Sequence, residues 1–196
     1  TFNEVSTFLA HYLKGLGGTT SKLETSQNFY TDSETIYLPE SISSPKSKES
    51  SKKLFQIILS HLWAQNFYGT WSNRILSKIE DQGDAQNEIL KIFYRLECIR
   101  LEASLERDLP GLWRQYQPFK YKDQQSVRIW DSWKNESGVL LSDKSSSSTS
   151  LSLTPQFLKR PLPALEIFQH EFQIYNLREI LDARKNNLNI VNALKL

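Results

Sequence analysis

Two segments of the sequence contain polar side chains of types that could do chemistry, and in each segment these residues have the spacing of a helix. His61 and Gln65 lie four residues apart, so on a helix both point to one face. Glu97, Arg100 and Glu102 lie in a second segment with a helical pattern. If Gln65 were a histidine, the set would contain the ligands of a helical zinc hydrolase, namely two histidines one turn apart and a distant glutamate.

Two groups that zinc catalysis needs are missing from this set. A neutral amide is a poor zinc ligand, and Gln65 stands where the second imidazole would be. Leu62 occupies the position next to His61 where the general base would lie. We therefore expect no metal, no cofactor and no catalytic residue, but a polar cluster between two helices whose members satisfy one another's hydrogen bonds. Its expected members are His61, Gln65, Glu97 and Arg100, with Glu102 beside them.

Two alternatives remain open. The first is a zinc-dependent, hydrolase-like domain that uses His61 and Glu97, with the same polar cluster as a degenerate metal site. The second is a module that binds single-stranded nucleic acid, because Trp130 and Trp133 lie among basic residues and could stack on bases. Lys and Arg total 24 against 22 Asp and Glu, a net charge of +2, which argues against a broad surface for nucleic acid or anionic membranes. The pattern near Trp130 therefore favours aromatic packing under a loop.

The elements that must position these residues are mostly helices. Apolar side chains recur at spacings of three and four in four stretches, each of which predicts a helix. Those stretches cover residues 1–16, 50–67, 71–79 and 85–109. Alternating residues on both sides of a turn predict a small β-hairpin over about 22–38, which Pro39 ends.

The predicted fold class is mainly α: a small β-hairpin packed on a helical core, with a degenerate zincin-like helix pair and C-terminal helices. The predicted core domain covers residues 1–125. A loop and Ser-rich linker is predicted over 126–154, because a Ser/Thr run with few apolar residues is typical of a mobile loop. Helical spacing returns from Pro163, so a C-terminal helical segment is predicted over 155–196.

Composition indicates the compartment. Cys98 is the single cysteine, which excludes an intrachain disulfide and fits a reducing compartment; its apolar neighbours predict a buried, inert thiol. No window approaches the roughly 18 consecutive apolar residues of a membrane span. We therefore expect a cytoplasmic protein with no membrane partner. The chain has no methionine and begins with Thr1, so we expect it to be part of a longer protein.

Four short motifs occur in an order that resembles a known family. They are T-I-Y-L-P-E from Thr35, S-H-L-W-A-Q-N-F-Y-G-T from Ser60, L-E-C-I-R-L-E from Leu96 and L-P-G-L from Leu109. Over about residues 20–115 the chain resembles the N-terminal region of the von Willebrand factor A-containing accessory proteins of the NorD, CobT and CbbO kind. These proteins are similar to nitric oxide reductase activation proteins, a cobalt chelatase subunit and adaptors of a Rubisco activase.

The resemblance implies a non-enzymatic adaptor. Such proteins couple a hexameric MoxR-type AAA+ ATPase to a client enzyme, for metal insertion or for removal of an inhibitor. Their metal-binding A domain is C-terminal, so the resemblance implies that it would follow this chain. His61, Glu97, Arg100 and Glu102 keep the family's residue types, whereas Gln65 replaces the usual second histidine. That departure weakens an inherited metal site and favours a scaffold role.

Overall fold

The protein's structure, a computed structural model, describes residues 1–17, 21–32, 34–42, 48–120 and 123–170. These residues form seven α-helices and a small three-stranded sheet, so the mainly-α prediction is confirmed. The helices are α1 (Phe2–Gly15), α2 (Lys48–Phe67), α3 (Asn73–Glu80), α4 (Gln86–Asp108), α5 (Pro110–Tyr116), α6 (Gln124–Glu136) and α7 (Ser147–Leu153). The strands are β1 (Lys22–Ser26), β2 (Tyr30–Thr31) and β3 (Thr35–Pro39).

Helix α4 is the centre of the fold. Its buried side chains lie on all sides of the helix, which is the pattern of a helix enclosed by other elements. Helices α2, α3, α5 and α7 all pack against it. Pro110 follows its last turn and begins α5, because proline fits the first position of a helix but not its interior. The four helices predicted from apolar spacing correspond to α1, α2, α3 and α4.

The sheet differs from the predicted hairpin. Its strand order is β1-β3-β2, and β1 runs parallel to β3, with Lys22 opposite Thr35. Only β2 and β3 are antiparallel, with Tyr30 opposite Tyr37. The prediction of a single hairpin over 22–38 is therefore wrong, because the chain crosses from β1 to the far edge of β3 before it turns back. The Asp32 carboxylate closes that turn by accepting hydrogen bonds from the backbone N–H groups of residues 34 and 35.

The sheet and helix α1 cover one face of α2. Ile36 and Leu38 of β3 point into the same apolar core as Leu9 and Leu13 of α1, and all four are fully or almost fully buried. The backbone N–H of Phe2 also donates to the carbonyl oxygen of Glu40, which ties the start of α1 to the end of the sheet. The opposite face of α2 is thereby turned toward α4, where the predicted polar residues lie.

The stretch 126–154 is largely helical, so the prediction of a loop and linker there is wrong. Trp133 on α6 is buried and its ring lies 4.5 Å from that of Phe157. In the serine run, Ser147 and Ser150 are buried on α7 where this helix packs against α4. Serine composition predicted a solvated loop, but serine side chains are also small enough to let two helices approach closely.

A segment with neither helix nor strand follows the last helical turn and ends in a turn closed by the Gln169 N–H and the Glu166 carbonyl oxygen. We call residues 160–168 the strap; the structure assigns no helix between Leu158 and His170, so the predicted helical spacing from Pro163 is not realised there. The rest of the predicted C-terminal helical segment, 171–196, lies outside the described residues. Among the described helices, none combines the length and the apolar character needed to cross a bilayer.

Candidate functional site

His61 and Gln65 face α4, as their spacing predicts, and form a hydrogen-bonded network with two aromatic residues. The Trp71 indole N–H donates to Gln65 Oε1 over 2.8 Å, and Gln65 Nε2 donates to the Tyr94 hydroxyl over 3.4 Å. The backbone N–H of His170 also donates to that hydroxyl. Because the Tyr94 hydroxyl oxygen accepts both of these bonds, the hydroxyl donates its own proton to His61 Nε2, which lies 3.3 Å away.

The imidazole of His61 is neutral in this environment. Its side chain has no exposed surface, and burial, with a smaller effect from the charge of Lys120, lowers its pKa from 6.5 to about 3. Since Nε2 accepts from Tyr94, the neutral ring carries its proton on Nδ1, which has no hydrogen-bond partner among the described residues. The Phe168 ring covers His61 in an edge-on contact, with 5.8 Å between centroids.

Glu97 and Arg100 form a second buried network, one turn further along α4. Arg100 Nε donates to Glu97 Oε1 over 2.7 Å and Nη2 donates to Oε2 over 2.6 Å, a bidentate pair. The Thr70 hydroxyl donates to Glu97 Oε2 over 2.6 Å, and Arg100 Nη2 also donates to the carbonyl oxygen of Tyr68. Glu97 and Arg100 are 0% and 3% exposed, so both charges are neutralised inside the protein.

The four residues therefore do not form one cluster whose members satisfy one another, because they divide between two neighbouring networks and only Glu97 and Arg100 pair directly. The two networks meet through the backbone, because the Thr70 N–H donates to the Gln65 carbonyl oxygen over 2.8 Å. Sequence reasoning missed Tyr94, Trp71 and Thr70, which supply the hydrogen bonds inside each network. Within the described ranges, His, Cys, Asp and Glu side chains form no group of three that could hold a metal ion.

Glu102 lies in a different place from the other predicted residues. It accepts hydrogen bonds from Lys120 Nζ over 2.6 Å and from Gln169 Nε2 over 3.3 Å. The ammonium group of Lys120 also lies 4.7 Å from the centre of the Trp113 ring. This ion pair forms part of a cavity of about 160 Å³ between α4, α6 and the strap. Its lining is Ile99, Glu102, Lys120, Val127, Trp130, Asp131, Lys134 and Glu166.

Trp130 and Trp133 hold the strap. The indole N–H of Trp130 donates to the Ala164 carbonyl oxygen over 2.9 Å, and that of Trp133 donates to the Pro161 carbonyl oxygen over 3.2 Å. Trp133 is 2% exposed, so it has no free face on which a nucleobase could stack. Trp133 thus packs inside the protein, and the partly buried Trp130 packs beside it on α6, beneath the strap.

The predicted burial of Cys98 is confirmed. The residue lies on α4 with no exposed surface, and burial raises the pKa of its thiol well above the usual value. A thiol in this environment stays protonated and is a poor nucleophile.

Comparisons of the chain with protein-family models, with curated proteins and with solved structures find no match. The resemblance to von Willebrand factor A-containing accessory proteins therefore stays a prediction from its short motifs.

Proposed function

We propose that this chain is a non-catalytic adaptor module that binds a AAA+ ATPase of the MoxR type in the cytoplasm and couples it to a client enzyme. The observation that carries the proposal is that the side chains in the hydrolase-like positions are already committed to internal contacts. Glu97 is held by Arg100 and Thr70, and His61 is enclosed by Tyr94 and Phe168.

Glu97 is poorly suited to act as a base or a metal ligand. Both of its carboxylate oxygens accept hydrogen bonds from donors that are themselves buried. Recruiting the carboxylate for chemistry would leave Arg100 buried without its counter-charge, at a cost of about 3–5 kcal/mol. This arrangement supports a structural role, in which the ion pair fixes α4 against the chain between α2 and α3.

An exposed aromatic residue offers a docking position inside the region of resemblance. Phe67 at the end of α2 is 65% exposed, and its ring stacks on Trp63 with 4.8 Å between centroids. Because Trp63 holds the ring in place, Phe67 would lose little side-chain freedom on contact with a partner. Large aromatic side chains of this kind dominate many protein–protein interfaces.

A retention experiment tests the adaptor proposal. The full chain is passed over an immobilised ATPase of the MoxR type, together with the variants Phe67→Ser and Val139→Ser. Val139 is the matched control, because it is 54% exposed and lies outside the region of resemblance. We expect the wild type and Val139→Ser to be retained and Phe67→Ser to be retained at least several-fold less. Failure of the wild type to bind would refute the proposal.

One observation favours the zinc alternative. His61 Nδ1 is buried and has no hydrogen-bond partner among the described residues, and an unsatisfied ring nitrogen is an available ligand once it loses its proton. Metal analysis of protein purified without chelators distinguishes the two functions. Zinc at one equivalent per chain in the wild type, absent from His61→Ala, would replace the adaptor proposal with the hydrolase-like one.

A further inference from the structure

The strap is held on the helices in the manner of a bound peptide. Its backbone carbonyl oxygens are acceptors for side-chain N–H groups of α4 and α6. The donors and acceptors are Trp133 Nε1 to Pro161 over 3.2 Å, Arg95 Nε to Pro163 over 3.1 Å and Trp130 Nε1 to Ala164 over 2.9 Å.

The sequence of the strap favours the extended conformation that this recognition requires. Pro161 and Pro163 fix their own φ angles and disfavour helical conformations at the residues before them, Arg160 and Leu162. Indole donors on an aromatic surface, directed at the carbonyl groups of a preformed extended chain, are a general means of binding proline-rich segments. The strap adds an anchor, because the buried Phe168 ring packs edge-on against Tyr116 with 4.9 Å between centroids.

The residue before the strap is strained. Lys159 has φ +64°, and within the described ranges it is the single non-glycine residue with a positive φ. The left-handed conformation brings the side chain of an L-residue close to the following carbonyl oxygen. Backbone strain at Lys159 therefore disfavours the bound position of the strap. Release of the strap would allow Lys159 to adopt a negative φ.

We propose that the surface formed by Arg95, Trp130 and Trp133 is a peptide-binding groove, which the strap occupies until a partner's segment displaces it. The partner is a protein with an extended segment that has prolines at alternate positions and an aromatic residue about five positions later. The strap itself argues for this occupant, because it shows which chemistry the groove accepts. Only the identity of the partner protein rests on the proposed adaptor function. The experiments below test the groove with a peptide, so they do not depend on that function.

The probe is a synthetic peptide with the sequence of residues 160–168, labelled with a fluorophore and titrated into the full chain by anisotropy. Lys159→Val and Lys159→Gly form the matched pair of variants, since neither changes the groove. Valine is more strained than lysine at positive φ, whereas glycine is not strained there. If the peptide binds the state in which the strap is released, Lys159→Val should bind it at least about fivefold more tightly than Lys159→Gly.

A second measurement locates the binding site. An isotopically labelled peptide is added to the full chain, and hydrogen exchange of the chain's own residues 160–168 is followed by mass spectrometry. We expect exchange in the strap to rise as the peptide saturates. A control peptide with Pro161→Ala and Pro163→Ala should bind several-fold more weakly, because it is less preorganised.

Two results would overturn the groove. One is no saturable binding to Lys159→Val at millimolar peptide, the range of effective concentration with which a tethered segment competes. The other is peptide binding that leaves exchange in the strap unchanged. If the peptide binds but the chain is not retained on the ATPase, the adaptor proposal is refuted and the groove proposal stands. If the chain is retained but the peptide does not bind, the groove proposal is refuted and the adaptor proposal stands.

Discussion

Removal of the Glu97 carboxylate tests whether the second network is a buried structural element. In Glu97→Ala, Arg100 keeps its charge but loses its bidentate partner, while its side chain is only 3% exposed. Breaking a buried pair on one side costs about 3–5 kcal/mol, since an uncompensated charge stays in the interior. For a chain of this size that loss lowers the melting temperature by roughly 6–20 °C, at about 2–4 °C for each kcal/mol.

The assay is urea unfolding followed by circular dichroism, with a matched control on an exposed pair. Glu49 and Lys53 form such a pair on α2, with side chains 78% and 59% exposed, so Glu49→Ala should cost only about 0.3–0.5 kcal/mol. The double variant Glu97→Leu/Arg100→Leu removes both charges and should be more stable than Glu97→Ala. A loss below about 1 kcal/mol in Glu97→Ala, the range of exposed pairs, would refute the reasoning.

Three further predictions concern pH, thiol reactivity and a helix cap. Burial depresses the pKa of His61 in the folded state, so its contribution to stability is complete above pH 6.5 and is lost as the pH falls toward 3. From pH 7 to pH 5 the wild type should lose about 2 kcal/mol of unfolding free energy that His61→Gln does not lose; equal losses in urea titrations would contradict this. Cys98 should react with a maleimide only after unfolding, and fast labelling of native protein would show that α4 is not enclosed. Asp123 accepts the Ser126 N–H at the start of α6, so Asp123→Ala should lower the midpoint of urea unfolding, whereas Asp123→Ser, which can still cap the helix, should lower it less.

Helical periodicity predicted the elements that carry the candidate site. The stretches assigned to α2 and α4 have apolar side chains at spacings of three and four, and Gly69 and Pro110 mark their ends. That spacing also placed His61 and Gln65 on one face of α2. Their hydrogen-bond partners could not be predicted, because Tyr94 and Trp71 resemble ordinary core aromatic residues in the sequence.

Other features depend on contacts between distant segments. Alternation in β1 and β3 indicates strands but does not encode their relative direction, so the parallel pairing could not be predicted from it. Glu102 and Glu97 are close on the same helix, so the sequence predicts one cluster for both. The partners of Glu102, namely Lys120 and Gln169, come from segments without a regular pattern. Ser147 and Ser150 are buried, and their small size suits a close contact between helices. A serine-rich composition is compatible both with such a contact and with a solvated loop, so it could not predict which of the two is present.

Binding of the full chain to a MoxR-type ATPase, measured by biolayer interferometry in the presence and absence of a chelator, tests the adaptor claim most directly. The account predicts saturable binding that the chelator leaves unchanged and that Phe67→Ser weakens while Val139→Ser does not. Absence of binding, or binding that depends on a metal ion held by His61, would contradict it.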